Sequence, residues 1–387
     1  MAFGIYVHIP YCIQRCRYCD FATYEKSSIL PPLQYIELVK KEIQVYGPQF
    51  KEFAVDTVYF GGGTPSLVEA EGIVSILETL KQQGLSFKPN AEITIEINPA
   101  TIDEKKIEIY LAAGINRFSV GAQTFRDDIL KSVGREHSAD DTRKTLELLS
   151  QKKLNYTFDL LFALPNQTIE DLERDLEWVK HFSPNHLSAY CLTVPDSHPL
   201  AKVRLPEQKQ IEMFDLIEKK LSSMGILRYE ISNFSRPSFE SKHNMIYWTD
   251  ENFWGIGLSA HSYIKDNAWG KRFWNYSNIN EYTKQIQKLP NEQANTPIAY
   301  RESDQFEILV ERQALTDFCH VFLRIKRGLS LEELECKFGS LRKEQVEAIF
   351  DDLKMKGFIE YFEKRWRLTE NGILMSNQIF EACTFLN

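Results

Sequence analysis

The sequence has no second cysteine pair at a distance from its first cluster, no apolar run long enough to span a membrane and no excess of positive charge. Seven cysteines is an odd number, and four of them, Cys191, Cys319, Cys336 and Cys383, stand singly. That usage argues against a disulfide framework and makes a reducing cytoplasm the expected compartment. The four lone thiols are expected to be buried and inert. The opening MAFGIYVHIPYC has no basic segment, and His8 and Pro10 break its apolar run, so no secretory leader is expected. Membrane contact is then at most peripheral. With 54 acidic against 46 basic side chains, the net charge is −8. Broad phosphate-tracking needs clustered Lys and Arg, so no nucleic-acid partner is expected. Repeats at solenoid periods and low-complexity segments are lacking too.

What is present fits an ordinary globular chain. Its 387 residues, 43% hydrophobic and 26% charged, are enough for a large domain and a smaller one. Six β-rich runs, at 5–9, 56–62, 92–98, 117–123, 156–164 and 186–192, alternate with amphipathic stretches. This predicts a parallel sheet covered by helices. Right-handed crossovers would curl it into an open or closed barrel. The fold class expected is α/β, a partial (β/α)6 TIM-like barrel with a smaller C-terminal α+β module. The expected boundaries are 1–230 for the barrel, 231–296 for a closing segment and 297–387 for the C-terminal module. That module reads helix, helix, short hairpin, helix, as in a winged helix. Its stretch RKEQVEAIFDDLKMKG balances four basic against four acidic side chains, which suits packing or a protein partner better than DNA.

Chemistry-bearing residues gather at the C-terminal ends of the runs: cysteines after the first, GGGTPS after the second, then Glu96 and Asn98, then Gln123. In parallel α/β architectures that edge is the active face. Cys12, Cys16 and Cys19 form C-x-x-x-C-x-x-C directly after a strand, a loop tight enough to aim three thiolates at one iron–sulfur cluster. Zinc is the rival, but it asks for four Cys or His ligands, and His8 is poorly spaced to be the fourth. Three thiolates on a four-iron cluster leave one iron open. At Gly61-Gly62-Gly63-Thr64-Pro65, glycines let backbone approach a ligand closely, although a plain turn has the same look. GIGLSA (255–260) lacks the strand–helix setting and downstream acid of a dinucleotide fingerprint, and reads as a tight turn. In HNMIYW, His243 either ligates or hydrogen-bonds within a structural cap, with Trp248 filling the core.

The cysteine loop, with Tyr18 before its last cysteine, resembles the signature of radical S-adenosylmethionine (SAM) enzymes. Together IYVHIPYC, VYFGGGTPS, TIEINP, FSVGAQTF, VGREHS, DLLFALPNQT and HNMIYW resemble the HemN/HemW group, and within it the HemW-type heme chaperones. The resemblance implies a 4Fe–4S cluster on Cys12, Cys16 and Cys19, whose open iron takes the SAM amino and carboxylate groups. It implies SAM contacts at Tyr6, Tyr18, Gly62, Gly63, Thr64, Glu96, Gln123, Arg135 and Asp159, and singles out no catalytic residue. It also implies heme as a third cofactor, handled by His243, Tyr247 and Trp248, with His261, His8, His137 and Cys191 open as alternative ligands. The implied partners are heme and acceptor hemoproteins of the respiratory-chain or cytochrome type, with a tendency to homodimerise. The coproporphyrinogen-oxidising branch carries a longer N-terminal extension and C-x-x-x-C-x-x-C-x-C. Here five residues precede Tyr6 and Phe21 replaces the extra cysteine. The expected function is heme binding and transfer, the alternative an oxygen-independent coproporphyrinogen III oxidase-like activity on a tetrapyrrole.

Overall fold

The computed structural model describes residues 1–266 and 269–385. Its framework is the expected strand–helix alternation. Strands β1 (Phe3–Ile9), β2 (Ala54–Gly62), β3 (Ser86–Ile97), β4 (Arg117–Gln123), β5 (Tyr156–Phe162) and β6 (His186–Cys191) lie parallel and side by side in chain order. Between them run α1 (Pro32–Tyr46), α2 (Ala70–Gln82), α3 (Glu104–Ala113), the short α4 (Asp127–Ser132), α5 (Ala139–Gln151) and α6 (Ile169–Phe182). Two starts are fixed by reciprocal capping boxes, Ser138 with Asp141 for α5 and Thr168 with Asp171 for α6. Apolar side chains such as Ile73, Leu80, Ile107, Leu146 and Leu176 bury the helices against the sheet.

The sheet does not close. Asn252–Ile256 lies parallel to β1 on its outer side, and antiparallel strands His261–Ile264, Lys271–Trp274 and Phe306–Ile308 extend that flank. At the other flank Asn233–Ser235 and Leu227–Arg228 add antiparallel strands next to β6. The stretch 231–296 therefore supplies strands to both edges of a 12-stranded, mostly parallel sheet. Period-two alternation is what the sequence could offer here, and runs of three to five residues are too short to show it. After β6 come α7 (Glu207–Ser223), α8 (Lys242–Trp248) and α9 (Ile279–Lys288), and α9 packs on α1.

The C-terminal part has its own core of Leu315, Phe318, Leu334, Phe350 and Trp366. It comprises α10 (Glu311–Arg324), α11 (Leu331–Phe338), α12 (Ser340–Met355), the hairpin Ile359–Phe362 with Arg365–Leu368, and two short helices. Cys319 and Cys383 are buried there, but Cys336 is exposed and Cys191 half-buried. Cys336 lies off the apolar stripe Leu331, Leu334 and Phe338 of α11, so the expectation that all four lone thiols are buried holds for Cys319 and Cys383 but not for Cys336 or, in full, for Cys191.

Candidate functional site

The inner face of the sheet is lined with polar groups. Along β4 the alternate residues Arg117, Ser119, Gly121 and Gln123 all face one cavity, as do Asp159 and Leu161 of β5 and His186, Ser188 and Tyr190 of β6. A strand has period two, so a polar set at every second position converts a barrel interior into a binding cavity of ≈ 420 Å³. Cys12, Cys16, Tyr18, Cys19, Gly62, Gly63, Thr64, Glu96, Gln123, Arg135 and Asp159 line this same space. Gln123 adopts φ +66°, a left-handed conformation that non-glycine residues keep only where surroundings enforce it.

The cysteine loop stands at the mouth. Its base is clamped by a two-residue parallel ladder, Tyr11–Cys12 against Tyr24–Glu25. The Gly63 and Thr64 amides donate to the Ile9 and Tyr11 carbonyls at 2.8 and 2.7 Å. A Cβ on Gly63 would lie 2.6 Å from the Tyr11 carbonyl oxygen, so the loop can seat only against a glycine. On the other side the Arg17 amide donates to Val133 and its guanidinium to Ser132, at 3.0 and 3.2 Å. Arg135 then donates to Cys16 Sγ at 3.4 Å and to the Gly121 carbonyl at 2.6 Å, while its Nε is buried without a partner. Burial pushes the Cys12 thiol up to about 11, helped by the neighbouring Cys19 and Cys16 and opposed by Thr64 and Thr23.

The donor set fits a cluster with SAM. Three thiols meet at one cavity mouth, a glycine cradle admits backbone contact, and the Arg135 Nε and Asn98 Oδ1 are buried without partners at the same wall. No group of three His, Cys, Asp or Glu side chains among the described residues surrounds a point fit for a single ion. Inside, Glu96 accepts from Tyr59 Oη at 2.8 Å and from the Gly62 amide at 3.1 Å. Burial raises its pKa to about 7, with the Asp159 charge adding to the rise. Asp159 is raised to about 6 by burial, against Ser188, Arg117 and Arg135.

Helix α8, the HNMIYW segment, plugs the N-terminal end of the barrel and packs on β1, β2 and α10. Gly4 permits this, since a Cβ there would lie 2.9 Å from Ile246 Cδ1. His243 is 1% exposed. Its Nδ1 lies 2.7 Å from Thr57 Oγ1 and its Nε2 2.8 Å from Tyr247 Oη. Burial lowers its pKa to about 3. Trp248 sits under the Arg324 guanidinium at 4.4 Å. Of this helix only Asn244 reaches the cavity. Tyr6 lies outside the lining, its hydroxyl 3.1 Å from His8 Nδ1. His8 Nε2 is 3.0 Å from the Ala22 carbonyl oxygen, and burial lowers its pKa to about 4. His137 Nε2 lies 3.3 Å from the Ala122 carbonyl oxygen, Cys191 Sγ donates to Gln210, and His261 stacks on Trp274 on the sheet flank.

Arg117, Ser119, His186, Ser188 and Tyr190 go beyond the sequence expectations; their signal lies in RFSVGAQ and HLSAYC, where polar residues fall at every second position. Arg117 is 3% exposed, and its guanidinium meets Glu92 at 3.9 Å.

The Radical SAM superfamily matches residues 6–179. The heme chaperone HemW of Bacillus subtilis is 31% identical, the alignment covering 97% of this chain and 98% of that protein. HemW of Synechocystis is 32% identical over 99% and 96% of the two chains, and HemW of Lactococcus lactis 31% over 97% and 96%. The solved structure of coproporphyrinogen III oxidase (HemN) from Escherichia coli, a radical SAM enzyme, superposes with a TM-score of 0.82. It is 22% identical, and the match covers 100% of this chain and 91% of that one, a likeness of fold. By full-length similarity to these relatives, the chain belongs to the HemW family within the radical SAM superfamily.

Proposed function

We propose that this protein binds heme and transfers it to acceptor hemoproteins, and that it carries a 4Fe–4S cluster on Cys12, Cys16 and Cys19 with SAM in the adjoining cavity. The observation that carries this reading is family membership along almost the whole chain, joined to a three-thiol loop that opens onto a polar cavity. When bound, the cluster supplies an electron that can cleave SAM reductively. The chain's own residues act around it. Arg135 offers its guanidinium to the SAM carboxylate and to Cys16, the Gly62–Thr64 cradle presents backbone to the amino group, and Glu96 and Asp159 accept from the ribose hydroxyls. Tyr18 and Gln123 line the same wall.

For heme, His243 as placed has both ring nitrogens engaged, so ligation through it requires giving up Thr57 or Tyr247. No helix among the described residues is long and apolar enough to cross a membrane, which accords with a cytoplasmic carrier; homodimerisation is part of the same reading. The alternative, oxidation of a porphyrinogen, draws on the likeness of fold to HemN. Against it stands Phe21, 65% exposed at the cavity mouth where that branch has a fourth cysteine. Anaerobically reconstituted protein is expected to bind heme stoichiometrically, pass it to an apo-hemoprotein, and leave coproporphyrinogen III unchanged with SAM present. Conversion to protoporphyrinogen IX would reverse the choice.

A further inference from the structure

We propose that heme docks in a cleft at the opposite end of the barrel from the cysteine loop, between α8 and the C-terminal module. This rests on the reading that the chain binds heme. The cleft measures ≈ 800 Å³ against ≈ 420 Å³ for the barrel cavity, and lies within the roughly 300–1,000 Å³ of small-molecule sites. Its walls are apolar: Leu227 and Tyr229 from the sheet edge, Met245 and Ile246 from α8, and Ile325 from the end of α10.

Two cations without a carboxylate partner suit a ligand with two carboxylates. The rim carries Arg228, Lys242, Lys326, Arg327 and Arg367 together with Asp56, Glu240 and Glu363, and Asp56 is engaged by Lys88. Arg228, Arg327 and Arg367 are already shared with Glu218, Glu333 and Glu360. Lys242 donates to the Asn90 carbonyl at 3.0 Å, and the Lys326 ammonium has no carboxylate partner among the described residues. These two lysines are therefore the cations available to a pair of propionates. Of the lining side chains, Met245 and Tyr229 are of types that ligate heme iron. The Tyr229 hydroxyl is committed to His186 at 2.9 Å and to the Ser241 amide at 3.3 Å, which leaves the Met245 sulfur.

The barrel cavity suits heme poorly. An apolar macrocycle there would strip water from Glu96, Asp159 and Arg117 without replacing their hydrogen bonds. The HNMIYW helix is then a partition, with Asn244 facing the barrel cavity and the adjacent Met245 facing the cleft. It serves heme with its outer face while His243 anchors its inner one.

Hemin titration of the full-length protein, followed by Soret absorbance, tests this. The double variant Lys242→Glu/Lys326→Glu, both residues being exposed, is expected to keep the wild-type melting temperature and weaken hemin binding about tenfold or more. Met245→Ala should shift the Soret maximum. Saturating SAM on the cluster-loaded protein should not displace hemin. Hemin affinity of the double variant within twofold of wild type, an unchanged Met245→Ala spectrum, or displacement by SAM would each overturn the cleft assignment while leaving heme binding intact. Failure of the wild type to bind hemin would instead overturn the proposed function.

Discussion

Glu96 and Asp159 face one confined space, and each is held protonated further into the neutral range than a free carboxyl. The cause in both cases is burial, which penalises the charged form. The ionised form accepts hydrogen bonds from ribose hydroxyls more strongly than the protonated one. The affinity for SAM should therefore rise from pH 5.5 to 8, with a step near 6 from Asp159, a second near 7 from Glu96, and a plateau above. Glu96→Gln should weaken SAM binding about 10- to 100-fold at pH 8, the worth of a charge-assisted hydrogen bond of about 1.5–3 kcal/mol. It should leave the step near 6 alone. Calorimetry of the cluster-loaded protein across this range decides the matter, and a flat profile refutes the assignment. In the ligand-free protein the sign is opposite. A raised carboxyl pKa stabilises the fold at acid pH, and that contribution is lost as pH rises from about 4 towards 7. Glu96 was legible at a strand end, whereas Asp159, in the middle of β5, was reached only through the family resemblance. Arg117 was legible only through the alternation of RFSVGAQ, because a charged residue at the start of a run otherwise reads as a surface position until neighbouring strands close around it.

At the scale of elements, α8 and the GGGT turn carry the argument. His243 stays neutral because burial and the nearby Arg117 charge penalise its protonated form, so its folded pKa lies near 3 against an unfolded value near 6.5. Its contribution is full above 6.5 and declines as pH falls. The cost of His243→Asn should be largest at pH 8, about 2–4 kcal/mol for a buried group with two lost partners. It should shrink by about 1.4 kcal/mol per pH unit below 6.5. Urea unfolding of both proteins at pH 8, 6 and 5 measures this; a cost independent of pH would show that His243 titrates normally and is not enclosed. For the turn, Gly63→Ala drives a Cβ into the Tyr11 carbonyl, and backbone on both sides cannot yield. The variant should fold yet retain little of the cluster absorbance after anaerobic reconstitution. The turn was legible from three glycines at a strand end. The double role of α8 was not, since HNMIYW gives no sign of which of its faces meets the barrel.

For the whole molecule, the six strand–helix units were readable because each is long enough to show its own periodicity. The flanking strands of two to five residues were not, as their pairing is decided by tertiary context. The seam between barrel and C-terminal module is likewise a tertiary fact, and a buried carboxylate lies in it. Glu230, 0% exposed, accepts from the Ser232 amide, from Asn233 Nδ2 and, at 3.0 Å, from Arg324 Nε of α10. Arg324 in turn lies 4.4 Å over the Trp248 ring, so one guanidinium joins the module to both the sheet edge and α8. Removing it strands a carboxylate away from water, which costs about 3–5 kcal/mol when a buried pair is broken from one side. Arg324→Met should lower the melting temperature by several degrees, and adding Glu230→Gln should recover most of the loss, because the neutral amide keeps its polar neighbours without the charge. If the double variant melts no higher than Arg324→Met alone, the guanidinium holds the seam by stacking on Trp248 rather than by neutralising Glu230.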